Sequence, residues 1–274
     1  VTRLLFIGDI VGRPGRELIR RGLPALVAHH SIDLVIANVE NAAAGFGITP
    51  DVADDLFSQG VHVMTGGNHT WDKKEILTYI PDQPRMLRPA NLPAGAPGRG
   101  SVVTRTSRGT PVAVINVMGR VFMTAIDDPF RVVLAEIAAV AAETRIIFVD
   151  FHAEATSEKV AMGWYLDGRV TAVVGTHTHV QTADERVLPQ GTAFITDVGM
   201  TGPHDSVIGV ERSAVIQRFL TGLPQRFETA TENPRLNGVI VSANETSGRA
   251  EAIERVSLSA REIESLVAQP VRAR

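Results

Sequence analysis

The sequence predicts an α/β protein, one domain of two packed sheets with helices on the outside. Three observations carry that expectation. Short apolar runs alternate with helical patterns through the first half, the pattern of a parallel sheet wrapped by helices. Near the C-terminus, Gly238–Ala243 and Ala252–Leu258 bracket polar turn residues, so a final antiparallel pair is expected and the sheets should be mixed. The 274 residues, 44 % apolar and 21 % charged, suffice for a substantial core and have an ordinary globular composition.

Leu4–Gly8 is the first expected strand. Gly15–His30 comes next as a helix, with Leu18, Leu23, Leu26 and Val27 among its apolar positions, and Leu34–Asn38 is the second strand. Thr49-Pro50-Asp51 opens a helix: Thr49 can cap, proline suits the first turn, and Asp51 favours the positive end of the dipole. Val61–Thr65 is the third strand. Residues 81–100, rich in proline and glycine, read as a long irregular connection. Ser101–Thr106 and Pro111–Val117 form a hairpin around Ser107-Arg108-Gly109-Thr110. Beyond it come a helix over Pro129–Glu143, a buried strand over Arg145–Phe151, a helix over Ser157–Leu166 and a strand over Val170–Gly175. A further strand over Thr192–Thr196 and a short helix over Glu211–Leu220 complete the pattern. No repeat, low-complexity segment or interdomain linker interrupts it, so residues 1–274 are expected to be a single domain.

A formal net charge of −3 suggests no stable nucleic-acid or membrane partner held by bulk electrostatics. A small anionic substrate remains open, because bound metal ions set their own local potential. A homo-oligomer is compatible with the sequence. The absence of cysteine excludes disulfides, thiolate metal sites and cysteine nucleophiles. No apolar run approaches the ~18 residues of a transmembrane helix. Leu4-Leu5-Phe6-Ile7 enters a strand without the ordered regions of a secretory signal, so a cytoplasmic location is expected.

The residues just after each apolar run are more informative. In an open α/β sheet, ligands bind outside the carboxyl ends of the strands. Asp9 comes after Leu4–Gly8, and Glu40-Asn41 come after Leu34–Ala37 by way of Asn38-Val39. Asn68-His69 come after Val61–Thr65, His152 after Ile146–Phe151, and His177 with His179 after Val170–Gly175. Each alone has an ordinary explanation: a turn carboxylate, a cap, a hydrogen-bonded turn, a satisfied buried histidine. Five strands of five ending in an oxygen or nitrogen ligand point instead to a shared metal site. Gly66-Gly67 lets the backbone turn tightly and approach a ligand closely. In an extended His177-Thr178-His179 segment, both imidazoles point to one side.

The ligand set holds oxygen and nitrogen but no sulfur. It suits Mn, Fe, Zn or Co better than copper(I), an iron–sulfur cluster or magnesium alone. The candidates are too numerous for one ion. Two ions roughly 3.5–4 Å apart would hold a hydroxide and clamp a phosphoryl oxygen, and Glu40 is the best-placed carboxylate to bridge them. Elsewhere, Arg120 and Arg131 read as surface arginines rather than phosphate contacts, and Asp197–Gly202 as either a turn or a loop approaching substrate. His204 reads as solvent-facing, His29 and His30 as helix-end residues, and His62 as structural. The residues that bind substrate beyond the metals are not legible.

Taken in order, Gly8-Asp9, Glu40-Asn41, Gly67-Asn68-His69, His152 and Gly175-Thr176-His177-Thr178-His179 resemble the calcineurin-like metallophosphoesterases. The match spans residues 8–179. Val11 stands where that superfamily has a histidine, and Glu40 where it has an aspartate. With Gly8-Asp9-Ile10-Val11-Gly12, Gly67-Asn68-His69-Thr70-Trp71-Asp72 and Asp197-Val198-Gly199-Met200-Thr201-Gly202, these variants are similar to the YmdB-like bacterial 2′,3′-cyclic-nucleotide phosphodiesterase branch. The resemblance implies a four-layer α/β/β/α sandwich and a dinuclear iron or manganese centre. It implies that Asp9, Glu40, Asn41 and His179 hold one ion, the amide oxygen of Asn41 standing in for the missing imidazole. Glu40, Asn68, His152 and His177 would hold the other, leaving His69 as general acid for the leaving alkoxide. The implied activity is hydrolysis of a 2′,3′-cyclic nucleotide, or a related small phosphodiester, by in-line attack of a metal-bridging hydroxide. Two alternatives stand beside it: a phosphomonoesterase or phosphoprotein phosphatase on the same centre, and a regulatory protein that retains the metal site.

Overall fold

In the computed structural model, which describes residues 1–269, the ligand-bearing runs are strands of two six-stranded sheets. The last five residues of the expected domain lie outside the described residues. The elements begin with β1 (Thr2–Ile7), α1 (Gly12–His30), β2 (Leu34–Asn38), α2 (Pro50–Ser58), β3 (Val63–Thr65) and α3 (Ile76–Tyr79). The middle holds β4 (Ser101–Arg105), β5 (Pro111–Met118), α4 (Pro129–Val140), β6 (Ile147–His152), α5 (Thr156–Tyr165) and β7 (Ala172–Thr176). The rest are β8 (Arg186–Val187), β9 (Ala193–Ile195), β10 (Gly202–Pro203), α6 (Arg212–Thr221), β11 (Pro234–Ala243), β12 (Ala250–Ser259) and α7 (Ala260–Val267).

Both sheets are mixed. In the first, β1, β2 and β3 run parallel, and β11 lies antiparallel against β1 while pairing with β10 and β12. In the second, β5, β6, β7 and β9 run parallel, edged by antiparallel β4 and β8. Because side chains alternate across a strand, each sheet fills two interfaces. On β1, Leu4 and Phe6 enter the space between the sheets, while Leu5 and Ile7 pack with Leu18 of α1, Leu56 of α2 and Ile263 of α7. On β6, Phe148 enters that central space, while Val149 and Phe151 pack with Val133 of α4 and Met162 of α5. Phe6 and Phe148 stack across the two sheets with centroids 5.5 Å apart. The layers are therefore α/β/β/α, as the resemblance implied. No helix among the described residues is long and apolar enough to cross a membrane.

The differences from expectation lie at element ends and in four elements the sequence reading did not include, α3, β8, β10 and α7. β3 is only Val63–Thr65; ahead of it, the His62 ring accepts a hydrogen bond from the Val35 N–H (3.1 Å), which makes this histidine structural. Thr49 occupies the N-cap position of α2 without a side-chain capping bond, so the proline and Asp51 carry that helix start. Helix α7 lies beyond the expected elements, although Ser259 and Glu262 form a full capping box that its sequence spells out. Its Ile263 packs so closely on α1 that a Cβ at Gly22 would come within 2.8 Å of it.

Candidate metal centre

The carboxyl ends of the parallel strands of both sheets meet at one cleft of about 350 Å3. The first sheet brings Asp9 after β1, Glu40 and Asn41 after β2, and Asn68 and His69 after β3. The second brings His152 as the last residue of β6, and His177 and His179 just past β7. Asp9, Glu40, Asn41 and His152 are buried, and His177 and His179 are half-buried.

One ligand atom each from Glu40, His152 and His177 lies within 4.8 Å of the others. His152 Nε2 stands 3.1 Å from Glu40 Oε1, 2.9 Å from Asn68 Oδ1 and 3.1 Å from His177 Nδ1. On the other side of Glu40, His179 Nε2 lies 3.8 Å from Asp9 Oδ1 and 3.3 Å from Asn41 Nδ2. Asn41 Nδ2 also faces Glu40 Oε1 at 3.4 Å, so the amide turns its donor inward between two acceptors. A half-turn of that amide presents the oxygen expected of a ligand at the same place.

Metal ions fit this donor set. Asp9 Oδ1 is fully buried and has no hydrogen-bond partner among the described residues. Each imidazole is anchored at its outward nitrogen, as ligating histidines are: His152 Nδ1 by Thr176 Oγ1 (2.9 Å), His179 Nδ1 by the Ile208 carbonyl (2.9 Å), and His177 Nε2 by Glu154 (2.9 Å). Burial raises the Asp9 carboxyl, offset in part by His179 and His152. Burial opposes charge on both Glu40 and His152, but their mutual attraction wins. It pulls Glu40 down to about 2 and lifts His152 to about 9. Burial and the neighbouring His152 charge lower His177 to about 3, keeping it neutral and able to ligate.

Behind the candidate ligands stands a second tier of residues, of which the sequence singled out only the Asp197–Gly202 segment. Asp150 lies buried between the sheets, where Thr65 Oγ1 (2.5 Å), Thr176 Oγ1 (2.8 Å) and Asn38 Nδ2 (3.2 Å) donate to it. Burial pushes its carboxyl up to about 6, against the pull of His152 and the two hydroxyls. Asp197 pairs with Lys159 (2.6 Å), both 1 % exposed, and accepts from the Thr178 hydroxyl (2.8 Å) and N–H (3.1 Å). The Asp197–Gly202 segment therefore braces the site from behind: the Thr201 N–H bonds the Asp9 carbonyl and the Met200 N–H that of His179. Asp150 itself has only its position two residues before His152 as a local signal.

One expectation about the backbone needs correction. His177 and His179 are not in an extended segment; both have left-handed φ, 98° and 67°. They converge because Thr178 between them is turned onto Asp197. The close backbone approach expected of Gly66-Gly67 is present at Gly67, with no positive φ at either glycine. Gly67 is needed for space: a Cβ there would stand 2.3 Å from the His152 ring and 2.5 Å from Glu40 Oε2.

His69 lies at the cleft with its N–H bonded to Glu40 Oε2 (2.9 Å) and its ring Nδ1 to Asp72 (2.7 Å). Its remaining ring nitrogen is not engaged by this pair. Arg120 is exposed and pairs with Asp128, and Arg131 is exposed on α4. His29 and His30 stack edge-on in the last turn of α1. His204, expected to face solvent, is half-buried, because Gly202 and Asn237 bind its two ring nitrogens (2.9 and 3.1 Å).

A profile of the family described as YmdB-like protein matches residues 5–256 of the chain. A 2′,3′-cyclic-nucleotide 2′-phosphodiesterase of Bacillus subtilis (strain 168) is 50 % identical over 257 residues, covering 94 % of this chain and 97 % of that protein. The crystal structure of a hypothetical protein from Thermus thermophilus matches with a TM-score of 0.86 and 41 % identity, over 94 % of this chain and 99 % of that one. That of a novel phosphatase from Mycoplasma pneumoniae matches with a TM-score of 0.88 and 34 % identity, over 96 % of both chains.

Proposed function

Because the chain belongs to the YmdB-like protein family, we propose that it is a metal-dependent phosphodiesterase acting on 2′,3′-cyclic nucleotides. We assign Asp9, Asn41 and His179 to one ion and Asn68, His152 and His177 to a second, with Glu40 shared between them, and take iron or manganese as the native metals. The observation that supports this is the cluster of Glu40, His152 and His177 within 4.8 Å, with His179 3.8 Å from Asp9 beside it and each of the three imidazoles tied at its far nitrogen. When bound, the ions would acidify water and neutralise phosphoryl oxygens. The chain's own residues supply the rest. Glu40 holds the His69 N–H, placing that ring beside the floor of the cleft. Asp72 holds the ring through Nδ1, so Nε2 is the nitrogen that would hand a proton to the departing ribose oxygen.

The reading is tested by comparing 2′,3′-cyclic AMP, 3′,5′-cyclic AMP and p-nitrophenyl phosphate on protein prepared anaerobically and analysed for metal content. The expected outcome is the highest kcat/KM on the 2′,3′-cyclic diester. Preference for the monoester would replace a phosphodiesterase with a phosphatase. No turnover with both ions bound would leave a regulatory protein.

A further inference from the structure

The cleft is lined by the polar side chains of the site and by four apolar ones, Val11, Phe46, Ile208 and Val210, of which Phe46 and Ile208 are exposed. Phe46 leans edge-on against His69 (centroids 5.2 Å apart), and Ile208 is tied through its carbonyl to His179, so they stand at different ends of the row of polar groups. Both are expensive placements. Phe46 is 36 % exposed, on a loop that passes through left-handed φ at Ala44 (59°), Gly45 (90°) and Gly47 (72°). That loop is wedged in place: a Cβ at Gly45 would meet Thr229 at 2.6 Å, and one at Gly47 would meet Lys73 at 2.8 Å.

Ile208 is 53 % exposed and has φ 47°, with Gly209 next at 100°. Mutual bonds between Val207 and Val210 (2.9 and 3.0 Å) close this two-residue turn. Turns with both central φ positive favour Asn-Gly or Gly-Gly, and a β-branched residue there is a strained outlier. The bond to His179 explains the backbone at 208 but asks for no isoleucine side chain. Strain and exposure of this kind persist where a site uses them.

We propose that Phe46 and Ile208 clamp the nucleobase of the substrate, with its flat face stacked on the Phe46 ring and Ile208 closing on it while the phosphate lies over the polar side chains of the site. The inference rests on the phosphodiesterase reading for its substrate class. Neither side chain carries a nitrogen or oxygen, so the clamp reads the face common to all bases rather than their edges. It separates nucleotides from baseless diesters and discriminates little among bases.

The test compares metal-loaded wild type with Phe46→Ala, Phe46→Trp and Ile208→Asn on 2′,3′-cyclic AMP and on its baseless analogue, methyl riboside 2′,3′-cyclic phosphate. With Phe46→Ala, the ratio of kcat/KM for nucleotide over analogue is expected to fall about ten- to hundredfold, mostly through KM. Phe46→Trp should restore the ratio, and Ile208→Asn should lower it. An equal loss of kcat on both substrates would make Phe46 a mere support for His69 and overturn the clamp. If wild type turns over neither compound, the phosphodiesterase reading fails by itself. The clamp is then read by calorimetric binding of adenosine 2′-monophosphate against ribose 2-phosphate: selective weakening of the adenosine ligand by Phe46→Ala supports it, and equal affinity of both proteins for that ligand overturns it.

Discussion

At the scale of single residues, three side chains carry separable predictions. His69→Ala should reduce turnover of a 2′,3′-cyclic nucleotide by about 10²–10⁴-fold, because an alkoxide leaving group needs a proton. On bis(p-nitrophenyl) phosphate, whose leaving group needs none, the loss should be much smaller; equal losses would refute the general acid. Glu40→Ala removes the carboxylate shared by the two halves of the site, so elemental analysis should find fewer ions per chain. His152 gives the pH dependence. Its metal-free pKa is lifted to about 9 by Glu40, Asp9 and Asp150 against burial, so at pH 7 it holds a proton that a ligand cannot keep. Metal binding should then release about one proton at pH 7, and affinity should fall about tenfold per pH unit below 9. Calorimetry in buffers of different ionisation enthalpy measures this directly. By the same sign, in the metal-free protein the raised pKa of His152 contributes stability that is full below its unfolded value of ~6.5 and lost as pH rises through about 9. These residues are legible because each comes just after an apolar run. The bracing roles of Asp150 and Asp197 are not, since a buried carboxylate that holds other side chains leaves no spacing that says which ones; the Asp197–Gly202 segment shows in the sequence only as a candidate turn or loop.

At the scale of elements, the loops after the strands are where packing overrides local grammar. Gly67→Ala should abolish metal loading while leaving the strands formed, because the added methyl collides with His152 and Glu40 rather than straining φ. Asp197→Ala strands the Lys159 ammonium at 1 % exposure and frees Thr178, so a loss of about 3–5 kcal/mol is expected in denaturant unfolding, with disordered metal binding besides. Ile208→Asn should go the other way. It suits the turn and relieves strain of about 1–3 kcal/mol, so the melting temperature should rise even as nucleotide binding weakens. The pair His177-Thr178-His179 shows the limit of local reasoning: the spacing points to a ligand pair, but the left-handed backbone that makes the two rings converge is imposed by Asp197, reached only through the fold.

At the scale of the whole molecule, the candidate ligands come from two sheets: Asp9, Glu40, Asn41 and Asn68 from one, His152, His177 and His179 from the other. Ions bound there would join the sheets, and a ligand of the folded state alone stabilises it by mass action. Chelation should therefore lower the melting temperature, and metal restore it in proportion to the logarithm of its free concentration. Phe148→Ala tests the same interface from its apolar side; opening a cavity opposite Phe6 should cost about 3–5 kcal/mol. Residue type and local periodicity set the strand order of the chemistry, the oxygen and nitrogen donor set, and the alternation that builds α/β layers, so these are read from the chain directly. Which nitrogen of each histidine faces inward, why Gly67 must be glycine, and that Phe46 and Ile208 line one cleft come from the packing of the folded chain. Those facts depend on distances between segments far apart in the chain, which no local pattern encodes.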